Sequence, residues 1–252
     1  MENIMDINFF VIILIGFVAQ SIDGALGMAY GVSSTTFLTS VGIPAKIASA
    51  SVHTAEVFTT FISGISHWKM KNVDKTIFKN LVIPGVLGGV LGAYILTSIP
   101  GNFISPIVNV YLLFMGVVIL LRAIFGISIK LIQGKKLMCV GLIGGFFDAI
   151  GGGGWGPVVT TTIVASGHTP RYAIGSVNSA EFFVTITQAL TFTILIGVGA
   201  YWKYILGLAI GGVIAAPLAA YVCKKSESKN LLFFVGILII ILNVKNLYSL
   251  FN

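Results

Sequence analysis

The chain has 252 residues, of which 56% are hydrophobic and only 9% are charged, and its formal net charge is +7. This composition is far from that of an average soluble domain, so the sequence predicts an integral membrane protein. The positive charge does not indicate a nucleic-acid partner, because the lysines and arginines are concentrated in short loops between apolar segments, as the positive-inside rule describes.

Ten apolar segments follow one another along the chain. A helix needs about 20 residues to cross the hydrocarbon core of a bilayer. Several segments are long enough, whereas four shorter ones form two adjacent pairs. In chain order the segments are Ile7 to Ile22, Ala29 to Val41, Ile47 to Trp68, Ile77 to Leu96, Phe103 to Phe125, Leu137 to Phe147, Pro157 to Ala165, Tyr172 to Val198, Tyr201 to Val222 and Leu231 to Leu250.

A glycine-containing break separates the two members of each short pair. The second break reads DAIGGGGWGP, from Asp148 to Pro157, and the first reads DGALGMAYG, from Asp23 to Gly31. Unwound backbone at membrane depth is tolerated only where protein or a wet cavity surrounds it. The half-helix after each break would direct N–H groups toward the membrane interior, which predicts an anion site near Gly153 and Gly154.

The two breaks belong to a repeat. Shifting the sequence by 125 residues aligns residues 16–68 with residues 141–193 without a gap, and 14 of the 53 pairs are identical. The identities include Asp23 with Asp148 and Thr35 with Thr160, and the segment SVHTAE, from Ser51 to Glu56, meets SVNSAE, from Ser176 to Glu181. Chance similarity between apolar helices would not select these residue types.

The loop charges orient the two halves. Lysines or arginines cluster after Trp68, in the central connection and around Lys224, which marks these three loops as cytoplasmic. The loop after Trp68 corresponds in the repeat to Gly199 to Tyr201, which must then lie outside. We therefore predict an all-α polytopic membrane protein with two inverted repeats of about five helical segments each, at residues 1–126 and 134–252, and a cytoplasmic connection at 127–133. Each half opens with a short helix pair broken by glycine, either re-entrant or fully crossing, and both termini are expected outside.

Polar side chains inside the long helices suggest a substrate site. Glu56 and Glu181 lie deep in apolar sequence, where ionisable groups usually face a cavity or a partner. His53 and Asn178 precede them by three residues, hence on nearly the same helix face. His53 is predicted to be a substrate donor or a proton carrier. The glutamates either couple protons or hold nearby basic groups and backbone donors.

Smaller polar residues complete the predicted site. Serine and threonine hydroxyls can donate to an oxyanion, although in membrane helices they also bond to helix carbonyls. Asp23 and Asp148 precede the breaks, and we expect their carboxylates to accept free backbone N–H groups, because a carboxylate would repel an anion. The predicted substrate-binding residues are His53, Asn178, Ser51, Ser176, Thr35, Thr160, Gly153 and Gly154, and the coupling or structural residues are Glu56, Glu181, Asp23 and Asp148.

No cofactor or metal is predicted. Gly151, Gly153 and Gly156 match the pattern G-x-G-x-x-G, but the strand, the βαβ unit and the acidic residue that a dinucleotide site requires do not fit here. The three histidines have no metal-ligand spacing, and no nucleophile or zinc-protease motif occurs.

The repeated break, the threonine-containing helix after it and the segments SVHTAE and SVNSAE resemble the sulfite exporter TauE/SafE family over nearly the whole chain. The resemblance implies a prokaryotic plasma-membrane permease for small anions, often sulfur oxyanions or organosulfonates such as sulfite or sulfoacetate, without a cofactor. We therefore expect a secondary transporter that works by alternating access in the lipid bilayer. The sequence is compatible with coupled protons and with a homo-oligomer. The alternatives are a channel-like anion facilitator of the same topology and, less favoured, an intramembrane enzyme.

Overall fold

A computed structural model of the chain describes residues 8–125, 132–197, 201–225 and 229–251. Within these ranges every regular element is helical, which confirms the predicted all-α class. The helices are α1 (Phe9–Leu26), α2 (Tyr30–Ser40), α3 (Ala45–Lys69), α4 (Lys75–Ser98), α5 (Gly101–Phe125), α6 (Lys135–Gly151), α7 (Thr161–Ala165), α8 (Pro170–Ile196), α9 (Trp202–Lys225) and α10 (Lys229–Phe251), and a π-helical turn, Trp155–Thr160, leads directly into α7. Residues 127–131 of the predicted connection lie outside the described residues.

Five of these helices are long and apolar enough to cross a membrane, namely α1, α4, α5, α8 and residues Trp202–Cys223 of α9. Helix α3 is also long, with 25 residues, but it carries more polar side chains. By contrast α2 has only 11 residues, which at 1.5 Å per residue is about 16 Å, roughly half of a hydrocarbon core. Helix α2 and the segment Trp155–Ala165 therefore match the prediction of a short segment after each break. The prediction that the segment before the first break is also short was wrong, because α1 extends to 18 residues and is long enough to span.

The distribution of side chains is that of a protein surrounded by lipid. Large apolar side chains cover the outside, and Ile194, Phe10 and Ile83 expose 81%, 76% and 68% of their surface. Polar and ionisable side chains such as His53 and Asp148 are buried instead. An apolar exterior of this extent would aggregate in water, so it supports a multi-pass membrane protein.

The set of helix pairs stays the same when the helices of one half are interchanged with those of the other. Helix α1 packs along α9, and α6 packs along α4; α3 packs against α8, and α5 against α10. If α6 to α10 are taken as the counterparts of α1 to α5, the pair α1–α9 becomes α6–α4, while α3–α8 and α5–α10 each map onto themselves. The helix contacts are therefore compatible with a two-fold relation between the halves.

Glycines allow the paired helices to approach closely. On α4, Gly88 faces the Leu142 carbonyl of α6, and on α9, Gly211 faces the Ile13 carbonyl of α1, so closely that a β-carbon at either glycine would overlap the neighbouring backbone. Lipid provides no hydrophobic driving force between helices, so van der Waals packing at these close contacts contributes to helix association.

Replacing Gly88 by valine is expected to separate α4 from α6 and to lower stability. Overpacking of a tight contact costs about 1–3 kcal/mol, so the thermal unfolding midpoint in detergent should fall by about 5 °C or more. Gly101→Val is the control, because a β-carbon at Gly101 meets nothing within 4 Å. Equal unfolding midpoints for the two variants would contradict this account of the α4–α6 contact.

Candidate functional site

The two glycine breaks lie directly against each other. Gly31, at the start of α2, rests on Gly152 and Gly153 of the second break, and Gly156 rests on the backbone of Met28 in the first. A β-carbon at Gly31, Gly153 or Gly156 would overlap backbone atoms of the opposite break. Each break therefore needs glycine because the other break occupies the space of a side chain.

The contact is reciprocal at the level of single residues. Gly27 and Gly152, one repeat apart, end α1 and α6 in the left-handed region, with φ of 70° and 67°. The side chain of Thr160 packs on Gly27, and that of Thr35 packs on Gly152. The hydroxyl of Thr35 also donates to the Gly152 carbonyl at 3.1 Å. The first turns of the two half-helices thus lie antiparallel, each against the end of the other half's preceding helix.

The second break is held by Asp148. Its Oδ1 accepts hydrogen bonds from the backbone N–H groups of Gly154 at 2.9 Å and Trp155 at 3.0 Å. Its Oδ2 accepts a bond from the Gln188 amide at 3.0 Å. The N–H group of Gly153 donates to the Asp148 carbonyl at 3.2 Å. The backbone donors predicted to bind an anion are therefore occupied, in this conformation, by the protein's own carboxylate and carbonyl.

In the first break the Asp23 carboxyl group interacts with the backbone of Tyr30, seven residues later, at the spacing that separates Asp148 from Trp155.

His53 joins α3 to the end of α6. Its Nδ1 lies 2.7 Å from Glu56 Oε2, and its Nε2 donates to the Asp148 carbonyl at 3.1 Å. The Asp148 carboxylate oxygen Oδ2 is 3.8 Å from the same Nδ1. The ring of Phe192 stacks on the imidazole, with centroids 5.9 Å apart and planes at 5°. All four side chains are buried, so the imidazole and the two carboxyl groups interact without screening by bulk water.

Asn178 occupies the repeat position of His53 but makes different contacts. Its amide donates to the Ile174 carbonyl at 3.1 Å and its Oδ1 accepts from Ser63 at 3.0 Å. Glu181 interacts electrostatically with three buried carboxyl groups, those of Asp23, Glu56 and Asp148. All four predicted coupling or structural acids are therefore buried and lie within electrostatic range of one another. On α3 the glutamate is paired with an imidazole, whereas the repeat position on α8 holds an amide.

The remaining predicted hydroxyls lie in different places. Ser51 is buried within α3. Ser176 lies in the first turns of α8, where it donates to the Tyr172 carbonyl at 2.6 Å and accepts from the Asp74 N–H at 2.7 Å. Its hydroxyl therefore faces the connection between α3 and α4 and is not part of the group around Asp148.

A polar chain at the α3–α4 connection was not predicted. Arg171 at the start of α8 donates to Asn72 Oδ1 at 2.7 Å and to the Met70 carbonyl at 2.9 Å. Asn72 in turn contacts His67, whose Nε2 donates to the Gly24 carbonyl at 3.1 Å. These hydrogen bonds connect the first break with α3 and, through Arg171, with the start of α8.

Gln188 and Tyr111 were also missed. Gln188 holds Asp148, and the Tyr111 ring lies against Gly151 with its hydroxyl beside Gly154. Gln188 follows Glu181 by seven residues, two helical turns along one face, which is a signal that the sequence contained.

One group in the described part of the chain has the composition of a metal site. Ligand atoms of His53, Glu56 and Asp148 all lie within 4.8 Å of one another. Tetrahedral zinc ligands at 2.0–2.1 Å from the ion lie about 3.3 Å apart, whereas His53 Nδ1 and Glu56 Oε2 are separated by 2.7 Å. That distance is typical of a charge-assisted hydrogen bond, so the geometry fits a proton better than a metal ion.

Comparison with known proteins gives the family. The family model described as sulfite exporter TauE/SafE matches residues 12–246. The chain belongs to the TauE/SafE family. A probable membrane transporter protein, YtnM of Bacillus subtilis (strain 168), is 42% identical over 243 residues, which cover 93% of this chain and 81% of that relative. A second, YunE of the same strain, is 21% identical over 273 residues, covering 96% and 98%. No solved structure matches the chain.

Membership confirms the resemblance seen in the sequence, and this TauE/SafE protein is a multi-pass membrane transporter.

Replacing Asp148 by alanine is expected to destabilise this TauE/SafE protein, because the N–H groups of Gly154 and Trp155 would lose their acceptor and the Gln188 amide would keep only the Gly145 carbonyl. An unsatisfied buried donor costs about 1–3 kcal/mol, so the thermal unfolding midpoint should fall by about 5 °C or more. Asp148→Asn should cost less, because an amide oxygen can still accept from the two backbone N–H groups. Cys139→Ala, at an exposed position of the same helix, is the control. If Asp148→Ala melts with that control, Asp148 does not hold the break.

Proposed function

We propose that this TauE/SafE protein is a secondary transporter of small sulfur oxyanions or organosulfonates, such as sulfite or sulfoacetate, in a prokaryotic plasma membrane. The observation that carries the proposal is the match of residues 12–246 to a family described as sulfite exporters. Translocation breaks no bond in the substrate. The protein replaces the water around the anion with hydrogen-bond donors and exposes the site to one side of the membrane at a time.

Two inverted repeats, residues 1–126 and 134–252, would supply the alternating access. Supporting this, the helix pairs map onto each other when the halves are exchanged. The central pair α3–α8 is antiparallel, because Ser63 meets Asn178 and Thr60 meets Thr185, its repeat counterpart, at 3.2 Å. With residues 127–133 in the cytoplasm, an inverted arrangement puts both termini outside.

The close packing of the breaks favours a carrier over an open channel. Gly31 and Gly153 leave no room for a methyl group between the two half-helices, so an ion cannot pass between them without a rearrangement. A carrier that rearranges in every cycle saturates with substrate and performs counterflow, which a channel does not.

Unpaired donors near the breaks are the best candidates for new substrate contacts. Among the described residues, four buried donor groups have no hydrogen-bond partner: the Thr160, Ser34 and Tyr111 hydroxyls and the Gln20 amide nitrogen. Such groups are rare in folded proteins because each is costly, and a ligand or water usually explains them. Thr160 was predicted from sequence. We propose that its hydroxyl donates to the anion, beside Gly27.

Apart from His53, the other predicted substrate contacts remain part of the proposal, and five of them are engaged with protein acceptors in this conformation. Thr35, Gly153 and Gly154 donate to the second break, and Asn178 and Ser176 donate to carbonyls of α8. Binding through any of them requires that the anion replace a protein acceptor. We therefore expect these contacts to form only when the breaks separate.

The buried acids point to coupled protons. Asp23, Glu56, Asp148 and Glu181 are mutually close enough to interact. Ionised carboxylates would repel an oxyanion, and ionised groups inside a membrane protein are expensive unless they are paired. An anion can enter this region at lower cost if protons accompany it.

Purified protein in proteoliposomes should take up at least one labelled anion from a set of sulfite, thiosulfate, sulfoacetate and sulfate, with saturation and counterflow. A pH gradient applied in either direction should change the uptake. If none of the four anions moves, the sulfur assignment is wrong; non-saturable flux without counterflow would indicate a channel.

Thr160→Val, which removes a hydroxyl at nearly constant volume, should raise the KM for uptake. Loss of a hydrogen bond to a charged group costs about 1.5–3 kcal/mol, equivalent to about tenfold or more in KM. Thr187→Val is the matched control, because that hydroxyl bonds only to the Phe183 and Val184 carbonyls of its own helix. An unchanged KM in Thr160→Val would remove Thr160 from the substrate site.

A further inference from the structure

The hydrogen-bonding geometry of His53 fixes where a proton must be. A carbonyl oxygen only accepts hydrogen bonds, and the Asp148 carbonyl lies 3.1 Å from Nε2, so Nε2 carries a hydrogen. Nδ1 lies 2.7 Å from Glu56 Oε2, and two bare acceptors would repel each other at that distance. One proton therefore lies between them, either on the imidazole or on the carboxyl group.

The same geometry removes His53 from the substrate contacts. Both ring nitrogens are committed to protein atoms, Nε2 to the Asp148 carbonyl and Nδ1 to Glu56. Phe192 covers one face of the ring. An anion could bind Nδ1 only by displacing the Glu56 carboxyl group, which lies 2.7 Å away.

The proton is linked to the glycine break through Asp148. Its carboxylate lies 3.8 Å from His53 Nδ1 through Oδ2 and holds Gly154 and Trp155 through Oδ1. If the shared proton leaves, the hydrogen bond between Nδ1 and Glu56 is lost, and a bare ring nitrogen and a carboxylate then face each other beside Asp148. The hydrogen bonds that Asp148 accepts from Gly154 and Trp155 are then expected to change. Proton release is thereby connected with movement of the half-helix after the break.

The repeat position of His53 in the second half holds a side chain that cannot carry a proton. Asn178 stands at the repeat position of His53, and its amide binds Ile174 and Ser63. An amide does not titrate in the physiological range. The pair His53–Glu56 on α3 therefore differs from Asn178 and Glu181 on α8, although each includes a glutamate.

We propose that the pair His53–Glu56, held against Asp148, carries the proton that moves in each transport cycle, and that His53 is a coupling group and not a substrate contact. This rests on the proposed function as an anion carrier. One proton is accepted by Nδ1 or by the Glu56 carboxylate and is later released to water on the side to which the site opens. The other ionisable side chains that interact electrostatically with one another around the pair are Asp148, Asp23, Glu181, Tyr30 and Tyr111.

Transport by His53→Asn separates coupling from substrate binding, because this variant gives the first half the side chain of the second. In proteoliposomes with labelled sulfoacetate, or with whichever of the four anions the native protein takes up, a gradient of one pH unit coupled to one proton drives about tenfold accumulation. His53→Asn should perform counterflow at a rate within about threefold of native, a change of less than 1 kcal/mol, yet bring the anion only to equal concentrations inside and outside. Glu56→Gln should behave in the same way.

His168→Gln is the control, because His168 lies outside this group and donates to the Ile132 carbonyl. It should accumulate the anion as the native protein does. Gradient-driven accumulation that survives in His53→Asn overturns the proposal. Loss of counterflow in a folded His53→Asn, with a raised KM, also overturns it and makes His53 a substrate contact.

A second measurement does not depend on transport or on the folding of a variant. The chain has 3 histidines, so nitrogen-15 NMR of histidine-labelled native protein in bilayers can follow each ring, and the most strongly hydrogen-bonded ring is that of His53. Its Nε2 should stay protonated while the Nδ1 signal changes across the pH range in which the native protein stays folded. A His53 signal that is constant over that range overturns the proposal, whereas absence of transport for all four anions in the native protein contradicts only the proposed function.

Discussion

Backbone groups that leave a helix inside a membrane must find partners within the protein, because lipid offers none. Side chains of other helices satisfy the carbonyls at both breaks. The Gly24 carbonyl accepts from His67, the Ala149 carbonyl from Ser49 and the Asp148 carbonyl from His53. All three donors lie on α3, so this helix supports both breaks. The polarity of α3 has a structural cause besides any part in transport.

The two halves have similar helix contacts but different buried polar side chains. Repeat counterparts meet at Thr60 and Thr185, and each break ends in a glycine that is covered by a threonine from the other half. Donors to the breaks, however, come mainly from α3, and the buried imidazole that faces carboxyl groups is also there. In the proposed mechanism both halves change conformation while only the first carries a proton, and the gradients of proton and anion set the direction of net transport.

The breaks and the buried acids could be predicted from the sequence because aspartate and glutamate are rare inside a membrane and here recur together with glycines at an interval of 125 residues. The sequence did not predict that Gly31 would rest on Gly153, since a repeat shows which residues are equivalent and not which are in contact. Tyr111 was missed because a single phenol is unremarkable in an apolar helix. Gln188 was missed although it lies on the helix face of Glu181, because an amide in a helix does not reveal its partner elsewhere in the fold. Ser176 was assigned to the site from its motif, but its position in the first turns of α8 directs it toward Asp74.

The short helices also constrain how the protein can be made. Helix α2, with 11 residues, is too short to enter a bilayer as an independent span, and its first turn rests on Gly152 and Gly153, far later in the chain. During synthesis the first break therefore stays uncovered until the second half has been inserted. The contact between the two breaks forms late and joins residues that are far apart in the sequence.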